Sequence, residues 1–227
     1  PGMEWHSDNH TNQLVPFFAK GPGSNVIANA NVGVDEKYGA YVDNTVIAQS
    51  LRSMWVKHLP PRLQFLVKPY LQKARKDQIT VMFETNIPTQ AKVKFGEATL
   101  HAKQANLSQT AADNALKTLH EITLNNLKTE TNYFYQVAAT DEKGKTIESD
   151  TLSFKTNVKD DSAYSFAVFS DTQTNPSVWG KIAKLAWEER PHFAVHGGDI
   201  VGTGQNTSQW IDHFFKPGYV FMRRIPV

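Results

Sequence analysis

The residues best suited to chemistry are two aspartates that each follow a short apolar run. Asp171 lies in SDTQ, after SFAVF, and Asp199 lies in HGGDIVGTG, after HFAV and 28 positions later. Two carboxylates that approach one another repel, and one stays protonated unless a cation compensates the charge. A divalent cation, or a pair of them, removes that cost and takes both as hard oxygen ligands. The alternative is that each aspartate only forms a turn or caps a helix.

The segment between the aspartates predicts the elements that bring them together. SFAVFS is typical of a strand buried on both faces of a parallel sheet, and HFAV predicts a second buried strand. Between them PSVWGKIAKLAWEE predicts a helix whose buried face carries Val178, Ile182, Leu185 and Ala186. A right-handed β-α-β crossover sends both strand ends to one sheet edge, where open α/β sheets bind ligands. The sequence therefore predicts that the two aspartates share a site.

The order FSDTQ, helix, HGGDIV and GTGQNTSQWIDHFFKP resembles the opening of the calcineurin-like metallophosphoesterase family. The resemblance implies that Asp171 is a terminal ligand of one metal and that Asp199 bridges two. Gln173 stands where that family commonly has histidine, and its amide oxygen either ligates more weakly or leaves the place to water. His192 and His196 match no motif position and are expected to be structural or to support the ligands. The implied ions are Zn, Mn, Fe or Mg.

Gly202 departs from the purple acid phosphatases within that family. The resemblance would place a tyrosine there, three residues after the bridging aspartate, where it gives colour with ferric iron. A glycine at this position makes a coloured iron centre a poor expectation. The family continues with a Gly-Asn-His motif and further histidines, and the closing RRIPV resembles the strand that leads into it. We therefore expect these 227 residues alone to be inactive or nearly so.

Residues 66–158 show a periodicity of two, which predicts an antiparallel β-sandwich. The alternating residues are Ile79, Val81 and Phe83, then Val93 and Phe95, then His120, Ile122 and Leu124, then Tyr133, Tyr135 and Val137, then Leu152 and Phe154. LKTETNYFYQV predicts a tyrosine corner, in which Tyr133 hydrogen-bonds the backbone. This module, opened by VKPYLQ, resembles the fibronectin type III-like domain that precedes the catalytic domain in purple acid phosphatases.

The first 58 residues are loop-rich and predict one amphipathic helix. VDNT supplies N-cap residues, and the apolar face comprises Val46, Ile47, Leu51, Met54 and Trp55. WHSDNHTNQLVPFFAKGPG, followed by YGAYVDNTVIAQSL, resembles the C-terminal end of an alkaline phosphatase. In that family the histidine of a His-Thr pair ligates a catalytic zinc, and the resemblance gives this role to His10. LPPR then predicts an extended linker.

Composition limits the partners. The 24 basic and 22 acidic side chains are scattered and give a formal charge of +2, so neither nucleic acid nor a membrane surface is expected. No run of 18 apolar residues predicts a membrane segment. The chain has no cysteine, so any metal is held by carboxylate, imidazole, amide or water.

These patterns predict a multidomain α+β protein. Its parts are a partial α/β tail over 1–58, a linker over 59–65, a fibronectin type III-like sandwich over 66–158, and the first β-α-β unit of a metallophosphoesterase α/β sandwich over 159–227. The leading hypothesis is a fragment of a metal-dependent phosphatase that uses two metals to activate water against a phosphate ester. The resemblance implies a periplasmic or secreted protein, and the sequence defines no oligomeric state. The rivals are a non-catalytic sandwich flanked by phosphatase remnants and an artefactual join.

Overall fold

The computed structural model describes residues 20–21, 24–30, 33–42, 47–53, 61–99 and 105–227. The chain divides into two compact units, Pro1–Pro60 and Pro61–Val227. His10, the cap residues Asp43, Asn44 and Thr45, and the apolar residues Val46, Met54 and Trp55 lie outside the described residues, so the roles assigned to them stay predictions. No helix in the described part of the chain is long and apolar enough to cross a membrane.

The described residues of the first unit form two short helices and a hairpin. Helix α1 spans Ser24–Ala28, strands β1 and β2 span Gly33–Asp35 and Gly39–Tyr41, and helix α2 spans 47–53. The helix predicted after VDNT is therefore present over 47–53. Of the predicted apolar face, Ile47 is half-buried but Leu51 is 53% exposed. The buried residue of the described helix is Ser50.

The second unit begins with six antiparallel strands, which confirms the predicted sheet type. They are β3 Phe65–Gln72, β4 Ile79–Glu97, β5 Gln109–Leu124, β6 Asn132–Asp141, β7 Thr146–Glu148 and β8 Leu152–Lys155. The first half of β4 pairs with β3 and its second half pairs with β6, while β5 pairs with both halves. The register with β5 shifts between Glu84 and Thr89. Pro88, which has no N–H to donate, suits this break in the ladder.

The residues that alternate in the sequence form the sandwich core. The four side chains of Ile79, Val81, Phe83 and Val93 are 0% exposed, and every other member of the predicted set is also buried. Alternate residues of a strand lie on one face, so the period of two was sufficient to identify that face. The predicted core is confirmed.

Tyr133 forms the predicted tyrosine corner. Its hydroxyl accepts a hydrogen bond from the Lys128 backbone N–H at 2.8 Å. Its ring is 1% exposed and stacks on Phe154, with 5.4 Å between ring centroids. The tyrosine therefore satisfies a backbone donor in the loop before β6 and fills the core with the same side chain.

A row of polar side chains is buried where β4 bends. The His120 ring is 0% exposed, with Nδ1 3.1 Å from Asp113 Oδ2 and Nε2 3.0 Å from Thr89 Oγ1. Thr89 Oγ1 lies 3.3 Å from Thr85 Oγ1, and the Thr85 hydroxyl donates to the Ile87 carbonyl oxygen at 2.9 Å. Buried polar groups are costly unless they are hydrogen-bonded. This row provides those bonds and ties β5 to the bend.

The second half of the unit is an α/β segment. It comprises β9 Phe166–Phe169, α3 Pro176–Glu188, β10 Phe193–His196, α4 Thr207–Gln209, a π-helical segment Trp210–Phe215 and α5 Lys216–Met222. Strands β9 and β10 are parallel, as predicted, and Phe169 lies opposite His196. The Asn175 side chain caps α3 by accepting from the Val178 N–H. After α5 the chain returns to β10, where the Ala194 N–H donates to the Pro226 carbonyl oxygen.

The β9–β10 sheet is covered on one face only among the described residues. Phe166, Val168 and Val195 are 53%, 65% and 48% exposed, whereas Phe169 and Ala194 are buried. The prediction that these strands are buried on both faces is therefore wrong for this part of the chain. The single helical layer that the structure describes covers one side of the sheet, and it leaves the other side open.

Helix α3 buries a different face from the one predicted. Val178, Ile182 and Leu185 are 44%, 43% and 61% exposed, while Trp179 and Ala183 are almost fully buried. Of the predicted residues, Ala186 alone is half-buried and packs against the core. The Trp179 indole N–H donates to the Phe214 carbonyl oxygen at 2.9 Å, and the two rings stack with 5.6 Å between centroids. A tryptophan that buries its ring and also satisfies its N–H fixes the helix rotation more strongly than three aliphatic side chains.

The sandwich and the α/β segment share a second core. Val67 and Tyr70 of β3 pack in one buried cluster with the residues Phe169, Trp179, Ala183, Ala194, Phe214, Phe221, Met222 and Ile225. The Tyr135 hydroxyl of β6 also donates to the Arg223 carbonyl oxygen at 2.8 Å. Burial raises the pKa of Tyr135 well above its usual value, so the hydroxyl stays a neutral donor. The two parts of this unit are therefore joined by an apolar contact and a buried hydrogen bond.

Replacing Tyr133 by phenylalanine tests the tyrosine corner. Tyr133→Phe leaves the Lys128 N–H without its acceptor, and we expect the free energy of unfolding in urea to fall by about 1–3 kcal/mol. Tyr164 is 61% exposed, and the control Tyr164→Phe is expected to stay within about 0.5 kcal/mol of the wild type. Equal effects of the two substitutions would contradict the role given to the Tyr133 hydroxyl.

Asp113 is expected to make the sandwich less stable in acid. Burial raises the pKa of Asp113, but hydrogen bonds from Lys117, the Ala115 N–H and His120 outweigh it and leave the pKa below its ordinary value. The ionised form therefore stabilises the fold above the ordinary pKa, and this contribution is lost as pH falls through the lowered pKa.

The measurement is the free energy of unfolding in urea as a function of pH. The difference between the wild type and Asp113→Asn should be constant above about pH 5 and should narrow toward about pH 3. The exposed Asp161→Asn variant serves as the control and should run parallel to the wild type. A constant difference between the wild type and Asp113→Asn down to acid pH would refute the role of this carboxylate.

Candidate functional site

The loops that follow β9 and β10 emerge at the same sheet edge, as the sequence predicts. Asp171 lies in the first loop and Asp199 in the second, and both residues are exposed. The Gly197 N–H donates to the Phe169 carbonyl oxygen at 2.8 Å, and the Asp171 N–H donates to the Gly198 carbonyl oxygen at 3.2 Å. Gly198, the residue before Asp199, is thus hydrogen-bonded to the backbone of Asp171.

Both aspartates lie on left-handed backbone. The φ angles are 55° at Asp171 and 51° at Asp199, and Gly198, directly before Asp199, has a φ of 123°. Aspartate and asparagine adopt this region more readily than other non-glycine residues. Four further non-glycine residues of the described chain, Lys73, Asn126, Glu130 and Arg190, also have positive φ, so this conformation alone does not mark a site. What it shows is that each loop turns sharply at its aspartate.

Thr172 and His196 fill the space between the two loops. The Thr172 hydroxyl donates to the Ile200 carbonyl oxygen at 3.0 Å and lies 3.2 Å from His196 Nε2. His196 Nδ1 accepts from the Gly198 N–H at 3.2 Å, so the proton of the neutral ring belongs on Nε2, which donates to Thr172 Oγ1. Burial lowers the pKa of His196, against an opposing effect of the Asp171 carboxylate, and this favours the neutral ring.

The remaining polar residues of the site have simpler places. Gln173 follows Thr172 in the first loop and is half-buried. The Ser170 hydroxyl donates to the Asp171 carboxylate. His192 is structural, as expected, because its Nδ1 accepts from the Ser165 N–H before β9.

The two loops contain donor types that suit a divalent cation. Two carboxylates and one amide are hard oxygen donors, which suit Mg, Mn and Zn. His196 uses both ring nitrogens in hydrogen bonds and is therefore a poor candidate for a ligand. Among the residues that the structure describes, no three histidine, aspartate or glutamate side chains come together as a metal cluster. Further ligands would have to come from water or from residues outside this group.

Comparison with protein families identifies the sandwich. Residues 67–156 match the family model of the purple acid phosphatase N-terminal domain. This confirms the resemblance drawn from VKPYLQ and the strands that follow it. The match does not reach Asp171 or Asp199, so it carries no information about their roles.

Two solved structures share the fold over most of the chain. The purple acid phosphatase PPD1 from yellow lupin (Lupinus luteus) seeds is 18% identical, with a TM-score of 0.57 over 70% of this chain and 33% of that chain. PhoD is 12% identical, with a TM-score of 0.51 over 71% of this chain and 37% of that chain. The likeness in fold therefore extends beyond the sandwich, and the chain spans about a third of the length of both proteins.

A third solved structure is similar over a smaller part of the chain. The FN5 domain of Drosophila Lar is 21% identical over 44% of this chain and all of that domain, with a TM-score of 0.32. No curated protein sequence matches the chain. The resemblance of residues 1–58 to an alkaline phosphatase has no support from these matches and stays a prediction.

Sequence reasoning missed the part played by Thr172. The pairing of β9 with β10 places Phe169 opposite His196. Thr172, three residues after Phe169, therefore comes close to the loop that follows His196. A polar residue at that place is 7% exposed, which requires hydrogen-bond partners. The motif comparison alone drew attention to the aspartates and not to the residue between Asp171 and Gln173.

A substitution at Gly198 tests the backbone geometry of the Asp199 loop. A Cβ at Gly198 meets no atom within 4 Å, so Gly198→Ala changes only the backbone preference at a φ of 123°. We expect this variant to lower the free energy of unfolding by about 1–3 kcal/mol in urea. Gly204 also has open space but no positive φ, and Gly204→Ala should leave stability unchanged or raise it by up to about 1 kcal/mol. The same result for both variants would contradict a requirement for glycine at position 198.

Proposed function

We propose that the chain is part of a metal-dependent phosphatase and that the two loops carry part of its metal site. The observation that supports this most directly is the hydrogen-bonded approach of the Asp171 and Asp199 loops at the carboxyl edge of a parallel strand pair. That edge is where α/β sheets bind ligands. The sandwich next to it matches the purple acid phosphatase N-terminal domain, and PPD1 shares the fold over 70% of this chain.

The proposed roles are those that the resemblance to the metallophosphoesterase family implies. Asp171 would be a terminal ligand, Asp199 would bridge two cations, and Gln173 would either add its amide oxygen or leave that place to water. The two cations, when bound, supply a water of lowered pKa and stabilise the charge that develops on the phosphate oxygens. The carboxylates hold them at a fixed place beside the strand ends. Gly202 offers no phenol, so we propose Zn, Mn or Mg ahead of a coloured iron centre.

The proposed reaction is the hydrolysis of a phosphate monoester. Hard cations held by carboxylates favour an anionic oxygen substrate. Two carboxylates and an amide are too few to complete a dinuclear site, so we propose that the 227 residues alone bind a cation but turn over little or no substrate. His10, as a zinc ligand of an alkaline phosphatase-like segment over 1–58, and a periplasmic or secreted location belong to the same proposal.

The alternative is a non-catalytic sandwich that serves as a spacer or binding module. Its support is that the family match covers the sandwich alone. Among the described residues of the sandwich, His120, Thr85 and Thr89 are buried and Asp113 is half-buried, and the His120 ring nitrogens are both hydrogen-bonded. In this alternative the contact through β3 and Tyr135 only supports the neighbouring segment, and the aspartates are turn formers.

Binding of Mn²⁺ to the full chain tests the metal proposal. Titration followed by electron paramagnetic resonance should show Mn²⁺ bound by the wild type. Asp171→Asn and Asp199→Asn should weaken binding by at least the roughly 10–100-fold that loss of an outer hydrogen-bond partner costs a metal site. Asp212, which pairs with Lys216 on the helical segment, gives the control variant Asp212→Asn, whose binding should equal that of the wild type.

The outcomes separate the two functions. A wild type that binds no Mn²⁺, or aspartate variants that bind as the wild type does, would favour the spacer. An assay with an aryl phosphate and added Zn²⁺, Mn²⁺ or Mg²⁺ should show little or no hydrolysis. Robust turnover by these 227 residues would contradict the proposal that the described donors are insufficient.

A further inference from the structure

We propose that Thr172 and His196 position the two carboxylates, by locking the loops that carry them into one arrangement. This inference rests on the proposed metal site. Neither side chain is proposed as a ligand, because their polar atoms bond to each other and to the two loops. Both act through the residues next to Asp171 and Asp199.

The hydrogen bonds form one continuous path across the two loops. The Gly198 N–H donates to His196 Nδ1, His196 Nε2–H donates to Thr172 Oγ1, and the Thr172 O–H donates to the Ile200 carbonyl oxygen. Gly198 and Ile200 are the two neighbours of Asp199, and Thr172 is the residue that follows Asp171. The path therefore holds both chain neighbours of Asp199 and the residue that follows Asp171.

The direction of the path is determined by its two ends. The Gly198 N–H can only donate, and the Ile200 carbonyl can only accept. The ring between them must then carry its proton on Nε2, and the threonine hydroxyl must accept from the ring and donate to the carbonyl. The side chain at position 172 must both donate one hydrogen bond and accept another. A serine hydroxyl can do this, and a valine side chain cannot.

Packing holds the histidine ring in the orientation that the path needs. The ring meets Phe214 edge to face, with 5.6 Å between ring centroids and an angle of 84°. Phe214 is itself stacked on the buried Trp179 ring at an angle of 3°. Thr172 is 7% exposed, so water competes little for its hydroxyl. The helical core thus holds the ring in place, and the ring's hydrogen bonds hold the Gly198 N–H and the Thr172 hydroxyl.

A purely structural role for these bonds makes a different prediction. If Thr172 only stabilises the fold, its loss lowers the free energy of unfolding and leaves the cation affinity of the folded chain unchanged. If it positions the carboxylates, the affinity falls in the folded chain. Outer hydrogen-bond partners of metal ligands typically change metal affinity by about 10–100-fold.

The experiment is an Mn²⁺ titration of the full 227-residue chain by electron paramagnetic resonance, with unfolding in urea measured separately without metal. Thr172→Val should bind Mn²⁺ about 10-fold more weakly or worse, and Thr172→Ser should recover most of that loss. Thr80 is also buried, and its hydroxyl bonds Thr123 in the sandwich. The matched control Thr80→Val should lower stability and keep the wild-type affinity.

A second variant and a spectrum keep the test decisive if Thr172→Val folds poorly. His196→Phe keeps a ring against Phe214 but removes both nitrogens, and it should weaken Mn²⁺ binding to a similar degree. In the wild type, long-range ¹H–¹⁵N spectra should show the His196 proton on Nε2 at neutral pH. A proton on Nδ1 would overturn the path, because the Gly198 N–H would then have no acceptor.

The remaining outcomes are distinct. Wild-type affinity in Thr172→Val, no recovery in Thr172→Ser, or an equal loss in Thr80→Val would overturn the positioning role while leaving the metal site intact. A wild type that binds no Mn²⁺ would overturn the metal site and this inference together. Weak binding in Thr172→Val and in both aspartate variants, with recovery in Thr172→Ser, would support both.

Discussion

The backbone pairing of β9 with β10 continues past the ends of both strands, and the candidate site depends on that continuation. The Gly197 N–H bonds the Phe169 carbonyl, and the Asp171 N–H bonds the Gly198 carbonyl. Parallel strands place their carboxyl ends at one edge, but they do not by themselves bring the following loops into contact. Here the two extra hydrogen bonds do so. These backbone bonds bring the two loops that carry the carboxylates into contact, and the bonds of Thr172 and His196 add to them.

Strand β3 supports this edge from the sandwich. Leu71 lies in the sandwich core, whereas Val67 and Tyr70 lie in the core of the α/β segment. Successive side chains of a strand point to opposite faces, and register shifts along β3 adjust which residues reach each core. One strand thus contributes to two cores. A substitution in β3 that alters this cluster would therefore also change the packing around Trp179 and Phe214 in the helical layer.

Much of this arrangement could be predicted from the sequence where one local pattern decides the outcome. The period of two identified the sandwich core, and the spacing from Leu127 to Tyr133 identified the tyrosine corner. The buried face of α3 could not be predicted in this way. It depends on the Phe214 carbonyl, which lies 35 residues after Trp179 and gives the indole N–H its partner. The bonds of Thr172 likewise depend on the register of two strands and not on the residues beside it.

The shared core also has a consequence for the order of folding. Tyr135 and Arg223 are bonded across 88 residues, and Val67 packs with residues more than 100 positions later. Contacts between residues so far apart form late, because the entropy of closing the loop must be overcome first. During synthesis the sandwich leaves the ribosome before β9 does, and domains generally fold as they emerge. Strand β3 would then offer a finished surface on which Phe169, Trp179 and Phe221 assemble, so that the sandwich acts as an internal template for the segment that carries the two aspartates.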